Sequence, residues 1–203
     1  MSFNLDTIAV QLLSNPRITQ VSGLLDSSFW LDIAPLSNTS LPFVEQVQRV
    51  VRLGNPILNP TCALQERQSW RCLMGQYLVP YLQTNFLLHA FQYDAYQLSG
   101  DLGIPFESPV TKPPQLEFAE AFRAQTRANA TKDVPPPSSI RSTAAHLPAC
   151  YAHCNTESER FSTLATNGFT LEQVCIHCIF IYYIFIDARA NGSERGGIGR
   201  AHV

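Results

Sequence analysis

Residues 87–98, LLHAFQYDAYQL, run apolar into a single carboxylate, Asp94, and then turn polar. Residues 85–90 are too short an apolar run for a helix and are filled with Phe and Leu, so they predict a buried strand. A buried parallel strand delivers whatever follows it to the carboxyl edge of its sheet, where α/β proteins keep their chemistry. Asp94 lies just past that edge. A second stretch of this kind, residues 143–151 (TAAHLPACY), is small and apolar and leads to His153. The chain therefore offers strand to carboxylate, a helix-sized segment, then strand to imidazole. The two polar groups are 59 residues apart, room for one crossover unit and a loop.

The rest of the chain fits around that pair as an α/β fold with a mostly parallel sheet and flanking helices. Leu5–Leu13 has apolar residues at helical spacing and stops at Ser14-Asn15-Pro16. Residues 18–25 are strand-like and end in the polar turn Asp26-Ser27-Ser28. Residues 39–53 predict a helix with Phe43, Val47, Val50 and Val51 on one side, closed by Gly54-Asn55-Pro56. Residues 59–72 are polar and irregular, and 73–83 predict a short helix leading into the Asp94 strand. Residues 99–114, with Pro105, Pro109, Pro113 and Pro114, read as a loop on the active-site side. Residues 115–130 predict an amphipathic helix through Leu116, Ala119, Phe122 and Arg123. Residues 133–139, with three consecutive prolines, read as an extended connector.

Several segments together carry a family resemblance. Tyr93-Asp94-Ala95-Tyr96-Gln97 is similar to the Tyr-Asp-x-Trp-Gln segment of the pectin acetylesterase/Notum family. Ala149-Cys150-Tyr151-Ala152-His153-Cys154 resembles its Ser-Cys-Phe-x-His-Cys segment. The stretch from Gly23 to Asp32 resembles its Gly-x-x-Asp-Ser-Gly-Trp-Phe-Leu-Asp, and the pair Cys62 and Cys72 fits as well. The resemblance covers roughly residues 4–173. It implies the C-terminal portion of an α/β-hydrolase, a partial domain over 1–173. Residues 174–203, an apolar segment and a disordered tail, are read as lying outside the family sequence.

The resemblance also implies the chemistry. In a Ser-His-Asp esterase a serine hydroxyl attacks the ester carbonyl, an imidazole takes its proton, and a carboxylate orients the imidazole. His153 matches the base and Asp94 the carboxylate. The implied substrates are an acylated polysaccharide or an acylated protein, with no metal and no cofactor. The segment Asn4-Leu5-Asp6-Thr7-Ile8-Ala9 resembles the helix that follows the family's nucleophile elbow, a Gly-x-Ser-x-Gly turn. That turn occurs nowhere in the sequence. The nucleophile is accordingly expected a few residues before Met1, and the chain is read as an incomplete or inactive fragment. Half of a doubly wound sheet is expected to leave exposed apolar surface.

Composition narrows the partners. A net charge of −2 gives no electrostatic case for nucleic acid or an anionic membrane. Six cysteines, with Asn-x-Ser/Thr sites at Asn38, Asn129 and Asn191, point to a secreted, oxidising setting, although the N-terminus lacks the pattern of a signal peptide. The apolar run 174–186 is shorter than the ~20 residues a membrane span needs. Cys62 and Cys72 either form a disulfide or remain two thiols. Asp26 and Asp32 either shape the pocket or cap turns, and His89 and His146 are read as core or edge histidines. A rival reading joins Cys150, His153 and Cys154 with Cys175, His177 and Cys178 in a zinc site. A third keeps the pocket as a non-catalytic binding remnant.

Overall fold

The structure is a computed structural model that describes residues 4–37, 41–106, 108–135, 142–154, 156, 159–163, 165, 166 and 168–173. Helix α1, Leu5–Leu13, has the bounds its apolar spacing predicts. Only Leu5 and Ala9 face the core, and Ile8, Val10, Leu12 and Leu13 are exposed, as expected of an open apolar surface. Asp6 ties α1 down: its carboxylate accepts hydrogen bonds from the Gln83 and Thr84 backbone N–H groups, the Thr84 hydroxyl and the Asn59 amide. Strand β1, Ser22–Asp26, starts later than residue 18. Ile18 still belongs to the turn after α1, its N–H donating to Asn15 O at 2.9 Å.

Helix α2, Phe43–Gly54, buries Phe43 and Val47 and turns Val50 outward, 55% exposed, so the predicted stripe holds except at Val50. Asn55, rather than Gly54, takes the left-handed conformation that ends it, with φ 39°. Residues 59–72 are more ordered than predicted. Helix α3, Pro60–Gln65, begins with Pro60 where no backbone donor is needed, and Asn59 caps it by accepting the Cys62 N–H at 3.0 Å. A 3₁₀ turn, Ser69–Leu73, follows. The Cys62–Cys72 disulfide joins the two elements across a Cα separation of 5.8 Å, settling the choice between bridge and free thiols. Closing a loop of this size restricts the unfolded chain by about 2–3 kcal/mol. The short helix α4, Gly75–Leu78, then passes into a 3₁₀ turn at Val79–Tyr81.

Strand β2, Asn85–His89, matches the predicted buried strand. It is followed by β3, Tyr93–Asp94, and helix α5, Ala95–Leu102. The long helix α6, Pro113–Asp133, leads to β4, Thr143–His146, and β5, Tyr151–Ala152. A short helix α7, Arg160–Thr163, and an antiparallel ribbon of β6, Ala165–Thr166, and β7, Phe169–Thr170, come last. Two expectations need correction here. The segment expected to be loop from residue 99 begins inside α5, because Asp94 caps that helix and Gly103, at φ 66°, ends it. In α6 the buried stripe is Ala119, Phe122, Thr126 and Ala130, while Leu116 is 47% exposed. Small residues at 119, 126 and 130 let this helix pack closely.

The main sheet is parallel, ordered β1-β2-β4, with Ser22 opposite Asn85 and Phe86 opposite Thr143. As the central strand, β2 buries Phe86, Leu87, Leu88 and His89 in succession, which is why it reads as a continuous apolar run. Beyond β2 and β4 the pairing continues through Ala90 N–H to His146 O and Gln92 N–H to Pro148 O. Pro148 has no donor to return, so the strand predicted at 143–151 divides into β4 and β5. The register resumes as β3 beside β5, again parallel. Among the described residues no helix is long and apolar enough to cross a membrane. The predicted connector beyond residue 135, the tail from 174, and the sites at Asn38 and Asn191 lie outside the described residues.

Candidate active site

The β3–β5 pair sets Tyr93 opposite Tyr151 and Asp94 opposite Ala152, so His153 emerges one residue beyond the partner of Asp94. The two groups that the sequence singles out are brought together: His153 Nδ1 lies 2.8 Å from Asp94 Oδ2. A carboxylate only accepts, so Nδ1 carries the hydrogen and donates. The other oxygen, Oδ1, accepts the Gln97 N–H at 2.9 Å and caps α5. Asp94 therefore joins the end of a strand, the start of a helix and an imidazole. Its side chain is 6% exposed and that of His153 16%.

Beside His153 opens a cleft of about 720 Å³, lined in part by Phe43, Tyr96, Ile104, Phe106 and Cys154. The Tyr96 ring stacks on the His153 ring, with centroids 5.2 Å apart and planes at 29°. Phe43 and Phe106 meet Tyr96 edge-on, at 6.1 and 6.4 Å. The wall is mainly apolar and aromatic, with Gln46, Ser99 and His153 as its polar groups.

Helix α5 is fixed from below by Gln97, the last residue of the Tyr93–Gln97 segment, to which sequence reasoning assigns no role. Its amide oxygen accepts the Leu31 N–H at 2.9 Å, and its nitrogen donates to Leu31 O at 2.7 Å and to Asp101 Oδ2 at 3.2 Å. The signal that could have found it is the match of Gln97 to the last residue of the family's Tyr-Asp-x-Trp-Gln segment. Burial pushes the Asp101 carboxyl up to about 7, against the opposing hydrogen bonds from Gln97 and the Phe43 backbone. A carboxyl raised on folding takes up a proton as the chain folds. Its contribution is complete below 3.8 and is lost as pH rises through about 7. Asp101→Asn is expected to gain stability relative to the unsubstituted chain as pH climbs through that window, and to keep a constant advantage above it. Urea unfolding of both proteins across the pH range measures this, and a difference that does not vary with pH contradicts it.

His89 and His146 are core histidines, as read, with Nδ1 atoms 2.9 Å apart and rings stacked at 5.0 Å. One must donate and the other accept, so the two rings are not both protonated. Burial, foremost, pushes His89 down to about 4; His146 adds to this and Asp26 opposes it. Neither Asp26 nor Asp32 lines the cleft. Asp32 accepts the Tyr77 hydroxyl at 2.6 Å, and burial together with that bond pushes Tyr77 up to about 12. Among the described residues no three His, Cys, Asp or Glu side chains are grouped to hold a metal. Cys175, His177 and Cys178 lie outside the described residues.

A parallel sheet that presents first a carboxylate and then an imidazole at its carboxyl edge, under flanking helices, has the architecture of an α/β-hydrolase. The chain belongs to the pectinacetylesterase family, whose family model matches residues 2–188 and so takes in the apolar run 174–186. Two crystal forms of the Wnt deacylase Notum from Drosophila share the fold, with TM-scores of 0.75 and 0.74 and 21% sequence identity in each case. They align with 90% and 89% of this chain, and with 49% and 50% of theirs. The chain thus spans about half the length of those structures. No curated protein matches it.

Proposed function

We propose that this chain supplies the base and the orienting carboxylate of a carboxylic-ester hydrolase. The observation that carries the reading is the 2.8 Å contact of His153 Nδ1 with Asp94 Oδ2 beside an aromatic cleft. With Nδ1 engaged, the nitrogen that takes a proton in this tautomer is Nε2. His153 removes the proton of a serine hydroxyl as that oxygen attacks the ester carbonyl, then returns it to the leaving alcohol. Asp94 holds the ring in the required tautomer and stabilises the imidazolium. The serine and its oxyanion-hole amides are not in a Gly-x-Ser-x-Gly turn of these 203 residues. By itself the chain is expected to be inactive, since loss of the nucleophile costs on the order of 10⁶ in rate.

Acylated polysaccharide or acylated protein is the substrate class. Family membership supports the first, and the fold shared with a deacylase of Wnt supports the second. The disulfide favours a secreted, oxidising setting. The test reads the gene upstream of the Met1 codon and expresses the longer frame. An in-frame Gly-x-Ser-x-Gly, hydrolysis of p-nitrophenyl acetate by the longer protein, and its loss in His153→Ala are the expected results. Hydrolysis that survives His153→Ala contradicts the assignment.

A further inference from the structure

The segment that carries His153 is held on both sides. On its amino side, β5 is paired with β3. On its carboxyl side the restraint comes from side chains of β1 and the turn after it. The Cys154 N–H donates to Ser27 Oγ at 2.8 Å. Thr156 donates through its backbone N–H and its hydroxyl to Asp26 Oδ2, at 2.8 and 2.7 Å. Ser27 Oγ in turn donates to Asp26 Oδ1 at 3.0 Å. A hydroxyl has one proton to give and lone pairs to receive, so Ser27 serves the carboxylate and the Cys154 amide at once. These contacts reach across 127 and 130 residues of chain.

We propose that Asp26 and Ser27 are positioning residues for His153, clamping the strand-exit loop so that the imidazole is presented to Asp94; this rests on the reading of His153 as the base. Ser27 has φ 51° and Cys154 φ 53°, so both ends of one hydrogen bond sit in the left-handed region that residues other than glycine adopt only at a cost. The contact, not local preference, sets the loop. Burial works to raise the Asp26 carboxyl, and the bonds from Thr156, the neighbouring His89 and Ser27 outweigh it and hold it below the ordinary aspartate value. It stays a charged acceptor, the strong partner for such bonds. Neither residue lines the cleft, so their part is alignment rather than substrate contact. A catalytic group tolerates about 0.5 Å of misplacement, and a loop held only on its amino side does not meet that.

The test uses the 203-residue chain labelled with ¹⁵N. Ser27→Gly removes the hydroxyl and relaxes the positive φ, so the fold survives; Asp26→Asn keeps the shape and removes the charge. Amide exchange at Cys154 in the first variant, and at Thr156 in the second, is expected to rise about tenfold or more. The downfield Nδ1 proton signal of His153 is expected to broaden in both, while the amides of β2 keep their protection. An unchanged His153 signal with unchanged exchange at Cys154 and Thr156 in both variants overturns the clamp. None of these readouts involves ester hydrolysis. Failure of the hydrolase reading shows instead as activity that survives His153→Ala.

Discussion

Where this chain is joined to the proposed nucleophilic serine, Asp94→Asn is expected to cut ester hydrolysis by about 10⁴ while leaving the fold intact. Asp94 has two separate duties. Through Oδ1 it caps α5 by accepting the Gln97 N–H, and through Oδ2 it accepts the His153 Nδ1–H. Asparagine is as good an N-cap as aspartate, so α5 keeps its first turn. The second duty fails. An amide facing Nδ1 no longer selects the tautomer with Nε2 unprotonated, and it offers no charge to an imidazolium. Asp94→Ala loses both duties and is expected to cost about 1 kcal/mol in stability for the cap as well. Steady-state kinetics beside thermal unfolding separates the two. Equal activity of Asp94→Asn and the unsubstituted protein would remove Asp94 from the proposed mechanism.

The other large effect is structural. Gly75→Ala is expected to destabilise the chain by about 3 kcal/mol, at the upper end for an overpacked site. A Cβ at position 75 would stand 2.4 Å from Ser28 O and 2.6 Å from Phe29 Cα. Both are backbone atoms, so no rotamer change makes room. Gly75 does not sit at a positive φ, so the penalty is wholly steric. The lower entropy of unfolded Ala would otherwise favour the variant by about 0.4–1 kcal/mol. The segment that must move is tied on all sides. Gln76 N–H donates to Trp30 O and Gln76 Oε1 accepts the Asp32 N–H, while Gln97 brackets Leu31. Ser27 of the clamp immediately precedes Ser28 in the chain. Urea unfolding of Gly75→Ala measures the cost, and a midpoint equal to that of the unsubstituted chain would mean the two backbones are not in contact.

Much of the fold was legible where burial writes a period into the residues. Leu5–Leu13 shows helical spacing and a stop, and residues 85–90 show an apolar run of strand length. Both stand where expected, because each signal lies within the element it describes. Asp94 and His153 were legible only through the segments that resemble the family, since a lone carboxylate at a strand end is ordinarily a cap, and Asp94 is indeed the cap of α5. The misses share a cause. Val50 and Leu116 look apolar and face solvent, because pattern alone does not distinguish the core face from the residue beside it. Helix α5 was hidden because its outer face is exposed Tyr96 while its inner face hides Gln97, Ser99 and Asp101, polar residues that ordinarily argue against burial.

By itself the sequence determined the strand that ends before Asp94 and the first helix, since these follow from hydrophobic period, while the choice of Asp94 and His153 came from the segments that resemble the family. Only the tertiary structure decided that Tyr93–Asp94 pairs with Tyr151–Ala152, that Gln97 holds Leu31, and that Asp26 and Ser27 grip Cys154 and Thr156. Two-residue strands have no period to read. A hydrogen bond from a side chain to backbone more than a hundred residues away leaves no local trace, because its partner exists only once the chain has folded.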